Sequence, residues 1–481
     1  MIGKIPTEHQ MSIFDVALES FIDMNHELVL LSKQIDWEEV ESEFSEYYCA
    51  DNGRPSVPIR TMVGMMLLKS IYNLSDEGVV ARWLENPYMQ YFTGEKVFQK
   101  RPPMNPIDMT KFRKRIGSQG AEKIFKISLM VNAKEITAKE MKMVMIDSTV
   151  QEKNITFPTD AKLYRKIVER VLKLSEREGI ELRRTYTREM KALKLKVRFM
   201  NHPTRKKEGK KAVKRMRTIA RAMVNDIARK MDAFQQKQYG KDLELYLCVI
   251  NQERSDKNKV YSLHEPEVQC ISKGKEHKKY EFGNKSAIGK TGSGLIVSAL
   301  SFRGNPYDGH TLSSHWEQIR RLTGHTPKEI LTDRGYRGKK SVGSTEISIP
   351  TSGSPGQSYY EKRKVKKKFC KRAGIEPVIG HLKSDHRMMR NYLKGTLGDA
   401  VNTLMAAAAY NMRHWMNKNA LSSLGCWHWS DASRMCYLET KTNMPAGPQL
   451  SRWSRRGALA GLTKLESYRN RYVSDRSFRK T

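Results

Sequence analysis

The stretch "KEILTDRGYRGKK", residues 328–340, sets the apolar pair Ile330 and Leu331 shortly before one carboxylate, Asp333, and follows it with Arg334, Arg337, Lys339 and Lys340. A short apolar run closed by turn residues reads as a buried strand. An aspartate just past the end of such a strand stands where ligands of open α/β sheets gather, although beside arginine an ordinary salt bridge is the commoner use. Four further segments have the same character: "KMVMIDSTV" (142–150), "KYEFGNKSAIG" (279–289), "GLIVSALSF" (294–302) and "EISIP" (346–350). Their β-branched and apolar content between Gly, Pro and Asn boundaries predicts one sheet in an α/β domain. Strong helix formers from about 399 to 417, "DAVNTLMAAAAYNMRHWM", predict a helix packed on that sheet.

Between the first two strand segments the chain changes character. Residues 161–250 hold 26 basic and 10 acidic residues, a net of +16. Leu163, Ile167, Val171 and Leu174 mark one amphipathic helix, and Val213, Met216, Ile219, Met223, Ile227 and Met231 mark another, with "HPTRKKEGKK" (202–211) as the expected linker. The sheet is therefore expected to be interrupted by a basic helical insertion. A surplus of this size suits the phosphate backbone of nucleic acid, and Arg205, Lys206 and Lys207 are candidate contacts.

The whole chain, 481 residues with 87 Lys plus Arg against 52 Asp plus Glu, carries +35. That length predicts two or three domains, and 39% hydrophobic residues exclude wholesale disorder. A polyanionic partner follows from the charge. No run of 18 apolar residues and no basic-then-apolar leader is present, so a membrane role is not expected and the cytoplasm, at the nucleoid, is the expected place of action. Six scattered cysteines without a CxxC pair argue against structural zinc and fit a reducing compartment.

Residues 1–50 hold 2 basic and 11 acidic residues, a net of −9, so the grip on a polyanion begins downstream. From Gly53 to Gly94 the pattern reads helix, turn, helix, with Pro58 near the first start and Ser75 as N-cap of the second. Such a pair is a common DNA-reading unit and equally a common packing module. The expected division is a helical domain over 1–120, an α/β domain over 121–417 containing the insertion, and a basic, loosely ordered tail over 418–481.

Three carboxylates each end or follow an apolar segment: Asp147 in "VMIDSTV", Asp333, and Glu376 in "FCKRAGIEPVIGHLK". An unpaired charge in a buried strand is costly unless a cation meets it. On a continuous helix Arg372, Glu376 and Lys383 would fall at about 0°, 40° and 20°. Pro377 lacks an N–H, so the helix is expected to start or kink there, with Glu376 in its first turn. The pairs His310/His315 and His381/His386 have a five-residue spacing that splits them over different helix faces, and polar or DNA-facing roles are expected for them.

With these residues in view, the chain resembles the DDE transposases of bacterial insertion sequences, of the insertion-sequence four/five superfamily, over about 54–415. Asp147 in "MIDSTV" matches the first aspartate, Asp333 in "LTDRGYRG" the second, and Glu376 the glutamate of the one-letter signature YREK. Arg372 and Lys383 match its R and K, while Phe369 stands at the tyrosine position. "GRPSVPIR", "HEPEVQCISKGKEHKKYEFGNK" and "GNPYDGHTL" also resemble the family. The resemblance implies an RNase H-like mixed sheet, with Asp147, Asp333 and Glu376 as catalytic residues and ligands of two Mg²⁺, or Mn²⁺, ions. It implies that Arg372, Lys383, Arg334 and Arg337 face DNA phosphates. The implied partners are double-stranded terminal inverted repeats, target DNA and at least a second copy of the chain. The implied activity is cleavage at the element ends and transfer of their 3′ ends to target DNA. The alternatives are a catalytically decayed transposase acting as a DNA-binding repressor, and a structure-selective nuclease of the same core.

Overall fold

The computed structural model describes residues 3, 16–49, 52–272, 279–350 and 358–423, without the side chains of 364 and 421–423. The described residues up to Ala420 form one compact unit. The expected C-terminal tail therefore lies almost wholly outside the described residues.

Six helices come first: α1 (Glu27–Gln34), α2 (Trp37–Ser45), α3 (Ile59–Ile71), α4 (Asp76–Glu85), α5 (Pro87–Phe92) and α6 (Pro106–Val131). Their starts are written in the sequence. Asp36, Ser75, Asn86 and Asn105 each accept a backbone N–H of the following turn, and Asn105 with Asp108 closes a capping box. The turn after α3 ends at Ser75, which caps α4 as expected.

Then come β1 (Met143–Lys153) and four helices: α7 (Asp160–Glu178), α8 (Thr187–Arg198), α9 (Lys206–Lys230) and α10 (Ala233–Asn251). The rest of the chain runs β2 (Gln269–Ser272), β3 (Tyr280–Lys290), β4 (Ile296–Phe302), α11 (Asp308–Thr323), β5 (Glu329–Leu331), β6 (Ser341–Val342), β7 (Thr345–Ser348), α12 (Tyr359–Ala373), α13 (Ile375–Ser384), β8 (Arg390–Asn391) and α14 (Gly395–Ser423).

The strands make one mixed sheet in the order β2-β3-β1-β5-β7-β6, with β4 on β3 and β8 on β1. The central strand, β1, is antiparallel to β3 and parallel to β5. Alternation along β1 divides its side chains: Val144 and Ile146 join the main core, while Met145 packs on the other face with Leu331 and Ile375. The main core runs without interruption from the N-terminal helices (Leu28, Phe44, Met65, Trp83, Phe112) through the sheet to Ala406, Met412 and Met416 of α14.

Helices α7 to α10 close on a second hydrophobic cluster of their own, from Leu163 and Ile167 through Met216, Ile219 and Met223 to Val249. The residues that marked two amphipathic helices lie in it. The linker expected at 202–211 is helical from Lys206 onward, because Lys and Glu are good helix formers and buried Gly209 lets α9 approach Met200. A Cβ on Gly209 would stand 2.8 Å from Met200 Cβ.

Candidate active site

Met145 and Leu331 are direct partners across the parallel pair β1 and β5. Asp147 and Asp333 each come two residues later, so in-register strands about 4.8 Å apart deliver both acids to the same level. One nitrogen records their proximity: Arg372 Nη2 lies 3.0 Å from Asp147 Oδ2 and 3.9 Å from Asp333 Oδ2. Asp147 Oδ1 accepts the Ser148 N–H, and Asp333 Oδ1 accepts the Gly335 N–H, which fixes the turn Arg334–Tyr336.

Arg372 lies in the last turn of α12, and α13 begins at Ile375, with Glu376 and Pro377 in its first turn, as the proline required. Ile375 is fully buried against Met145 and Leu331, with Phe369 and Ile379 beside them. Each of the three acids thus follows, by one or two residues, a member of one small apolar cluster. Glu376 itself is exposed. Among the described residues no three His, Cys, Asp or Glu side chains form a group that could hold a metal ion: the structure brings the two aspartates onto one guanidinium but does not bring Glu376 into one ligand group with them. Asp147 and Asp333 offer oxygen donors only, which fits a hard divalent cation such as Mg²⁺ or Mn²⁺.

The other candidates are spread out. Arg334 and Arg337 are exposed on the turn after Asp333, and Lys383 sits half-buried near the end of α13. Arg205, Lys206 and Lys207 are exposed at the start of α9, with the Arg205 guanidinium 5.1 Å from the Phe199 ring. Arg372 points inward, its Nε buried and without a hydrogen-bond partner. Of the histidines, His315 and His386 are buried in the protein rather than facing outward.

Sequence reasoning missed a second layer of the site. Lys285 of β3 is buried and donates to Asp308 Oδ1 at 3.0 Å and to the Pro306 carbonyl at 2.6 Å. Asp308 and Asp333 flank Gly335, where a Cβ would meet Asp333 Oδ1 at 3.0 Å and Asp308 Oδ2 at 3.3 Å. Tyr336 is fully buried, and its hydroxyl satisfies no hydrogen-bond geometry. Burial, then the charges of Asp308, Asp147 and Asp333, raises its phenol well above the ordinary value, with the nearby Ser148 side chain opposing weakly. The signals were present in "EFGNK" and "GNPYDG", but nothing in their spacing tied them to Asp333.

Two family models match the chain: the Transposase domain (DUF772) over residues 16–115 and the Transposase DDE domain over residues 253–412. An uncharacterized protein, ORF8 of the nfe locus of Rhizobium meliloti, is 38% identical over 199 residues, covering 41% of this chain and 96% of that relative. The chain belongs to the insertion-sequence DDE transposases. The sheet described above is accordingly an RNase H-like one. Asp333 and Glu376 of this transposase fall inside the matched DDE interval, whereas Asp147 and the helices α7 to α10 lie between the two matched intervals. No solved structure matches the chain. No helix among the described residues is long and apolar enough to cross a membrane.

Proposed function

We propose that this transposase binds the terminal inverted repeats of its element, cleaves the DNA at the element ends and transfers the 3′ ends to target DNA by divalent-metal-dependent phosphoryl transfer. The observation that carries the reading is the convergence of Asp147 and Asp333 on one guanidinium nitrogen, from strands whose register brings them level. Asp147, Asp333 and Glu376 are the residues that would hold Mg²⁺ or Mn²⁺. Bound there, such ions supply charge stabilisation at the phosphoryl group and a more acidic attacking oxygen. The chain's own part is positional. The Met145, Leu331 and Ile375 cluster keeps the two strand ends and the first turn of α13 together, and the Gly335 N–H orients Asp333. Arg334 and Arg337, exposed beside Asp333, would meet phosphates of the strand being cut. Arg372, now held by Asp147, and Lys383 serve the same end.

The test is nicking of element-end DNA in Mg²⁺, alongside gel-shift binding of the same DNA. Asp147→Asn, Asp333→Asn and Glu376→Gln keep size and remove charge, so each is expected to lower cleavage by orders of magnitude while binding persists, since affinity comes mainly from lysine and arginine. An amide variant that cuts like the parent removes that residue from the assignment. A parent that binds the ends but never nicks them favours the repressor reading.

A further inference from the structure

Helix α12, "YYEKRKVKKKFCKRA", carries eight basic residues and one acid in 15 positions. Its inner side is accounted for: Phe369 packs beside Met145 and Leu331, Lys368 donates to Glu329 and Ser348, and Arg372 meets Asp147. At about 100° per residue the opposite side collects Tyr359, Tyr360, Arg363, Lys366, Lys367 and Lys371 within about 140°. All six are exposed. Tyr359 and Tyr360 are 82% and 76% exposed, at a helix start fixed by a Ser358 and Glu361 capping box.

Lysines alone would describe a solvated face or a track for any phosphate backbone. Two neighbouring open aromatic rings at the head of the track change the reading, because a duplex hides its base faces and a single strand offers them for stacking. From Tyr359 to Arg372 the helix rises about 20 Å, enough for a few nucleotides to run from the rings to the acid site.

We propose that the outward strip of α12 binds single-stranded DNA, the strand parted from its complement beside the cut, with Tyr359 and Tyr360 stacking on its bases and Arg363, Lys366, Lys367 and Lys371 following its phosphates. This rests on the reading of Asp147 and Asp333 as the place of cleavage.

The experiment uses the full chain and fluorescence anisotropy of one labelled oligonucleotide, single-stranded or annealed to its complement. The double variant Tyr359→Ala with Tyr360→Ala is expected to lose about tenfold or more in single-strand affinity and to keep its duplex affinity. Tyr359→Phe with Tyr360→Phe keeps both, since the ring face does the stacking. Glutamine at the four cations flattens the single-strand salt dependence by about 0.7 of a log unit per lost contact. Both positions open a helix, where alanine is a better helix former than tyrosine, so the alanine variant keeps its fold. Equal single-strand affinity for parent and alanine variant overturns the proposal. So does an equal loss on duplex, or a changed oligomeric state with unchanged single-strand binding, which would make the strip a contact between copies. The nicking assay stands apart: a parent that binds single strands through the tyrosines but never nicks overturns the proposed cleavage and leaves the strip in place.

Discussion

Gly335 shows how little room surrounds the candidate site. Its backbone does not need a glycine's positive φ. The space does, because an added methyl would press on Asp333 Oδ1 and Asp308 Oδ2 together. Gly335→Ala is therefore expected to lower cleavage on the order of tenfold to a hundredfold, since small displacements of reacting groups are costly, with end binding unchanged. Nicking rates and gel shifts on the same preparation check this. At this scale the sequence was legible where a residue announces itself against its neighbours. Asp147 and Asp333 each break an apolar run, and Pro377 dates the start of α13 to the turn of Glu376. Lys285, Asp308 and Tyr336 were not legible, because a salt bridge over 23 residues and a phenol buried among carboxylates exist only once β3, α11 and the turn after β5 have met.

Helix α11 lies against β4 through a buried hydrogen-bond relay. Ser298 Oγ donates to Gln318 Oε1 at 2.8 Å, so His315 Nδ1–H donates to Ser298, and His315 Nε2 is left a buried acceptor without a partner. Burial pushes the His315 imidazole down to about 3. The folded chain thus keeps this histidine neutral where the unfolded chain, at an ordinary 6.5, takes up a proton. Its share of stability is present above pH 6.5 and is lost as pH falls toward 3. Melting temperature against pH should fall less steeply over that window in His315→Asn than in the parent. Near the far end of β1, the buried Lys153 ammonium meets Asp399 at 2.9 Å and Glu265 at 3.3 Å. Lys153→Met strands both carboxylates without their cation and should cost about 3–5 kcal/mol, read as a lowered melting temperature. Strands β1, β3, β4, β5 and β7 were legible as elements because apolar runs between turn residues are local, whereas β2, β6 and β8, of two to four residues, were not. Helix α8 and the opening turns of α9 were not, since a run such as "RKKEGKK" has no apolar period and folds as helix through propensity and the contact of Gly209 with Met200.

At the scale of the molecule, the N-terminal helices and the sheet share one core, so the proposed preference for element ends is best measured on the full chain. Arg205, Lys206, Lys207, Lys210 and Lys211 are all exposed on the helical insertion. Neutralising them is expected to weaken binding to every DNA sequence and to flatten the salt slope by about one unit per lost phosphate contact. Affinity measured over a range of salt concentrations decides it, and an unchanged slope returns those residues to solvent. Charge by segment was legible from the first reading, because lysine counts need no fold, but the sharing of one core by the first six helices and the sheet rests on contacts hundreds of residues apart. Helices α7 to α10 close on their own cluster and lend no buried apolar side chain to the sheet that carries Asp147 and Asp333. That separation leaves the insertion free to drift. If this arm holds DNA, a lineage of elements could remodel its grip, trading one set of side chains for another across generations, while the sheet with its two aspartates passes on unaltered.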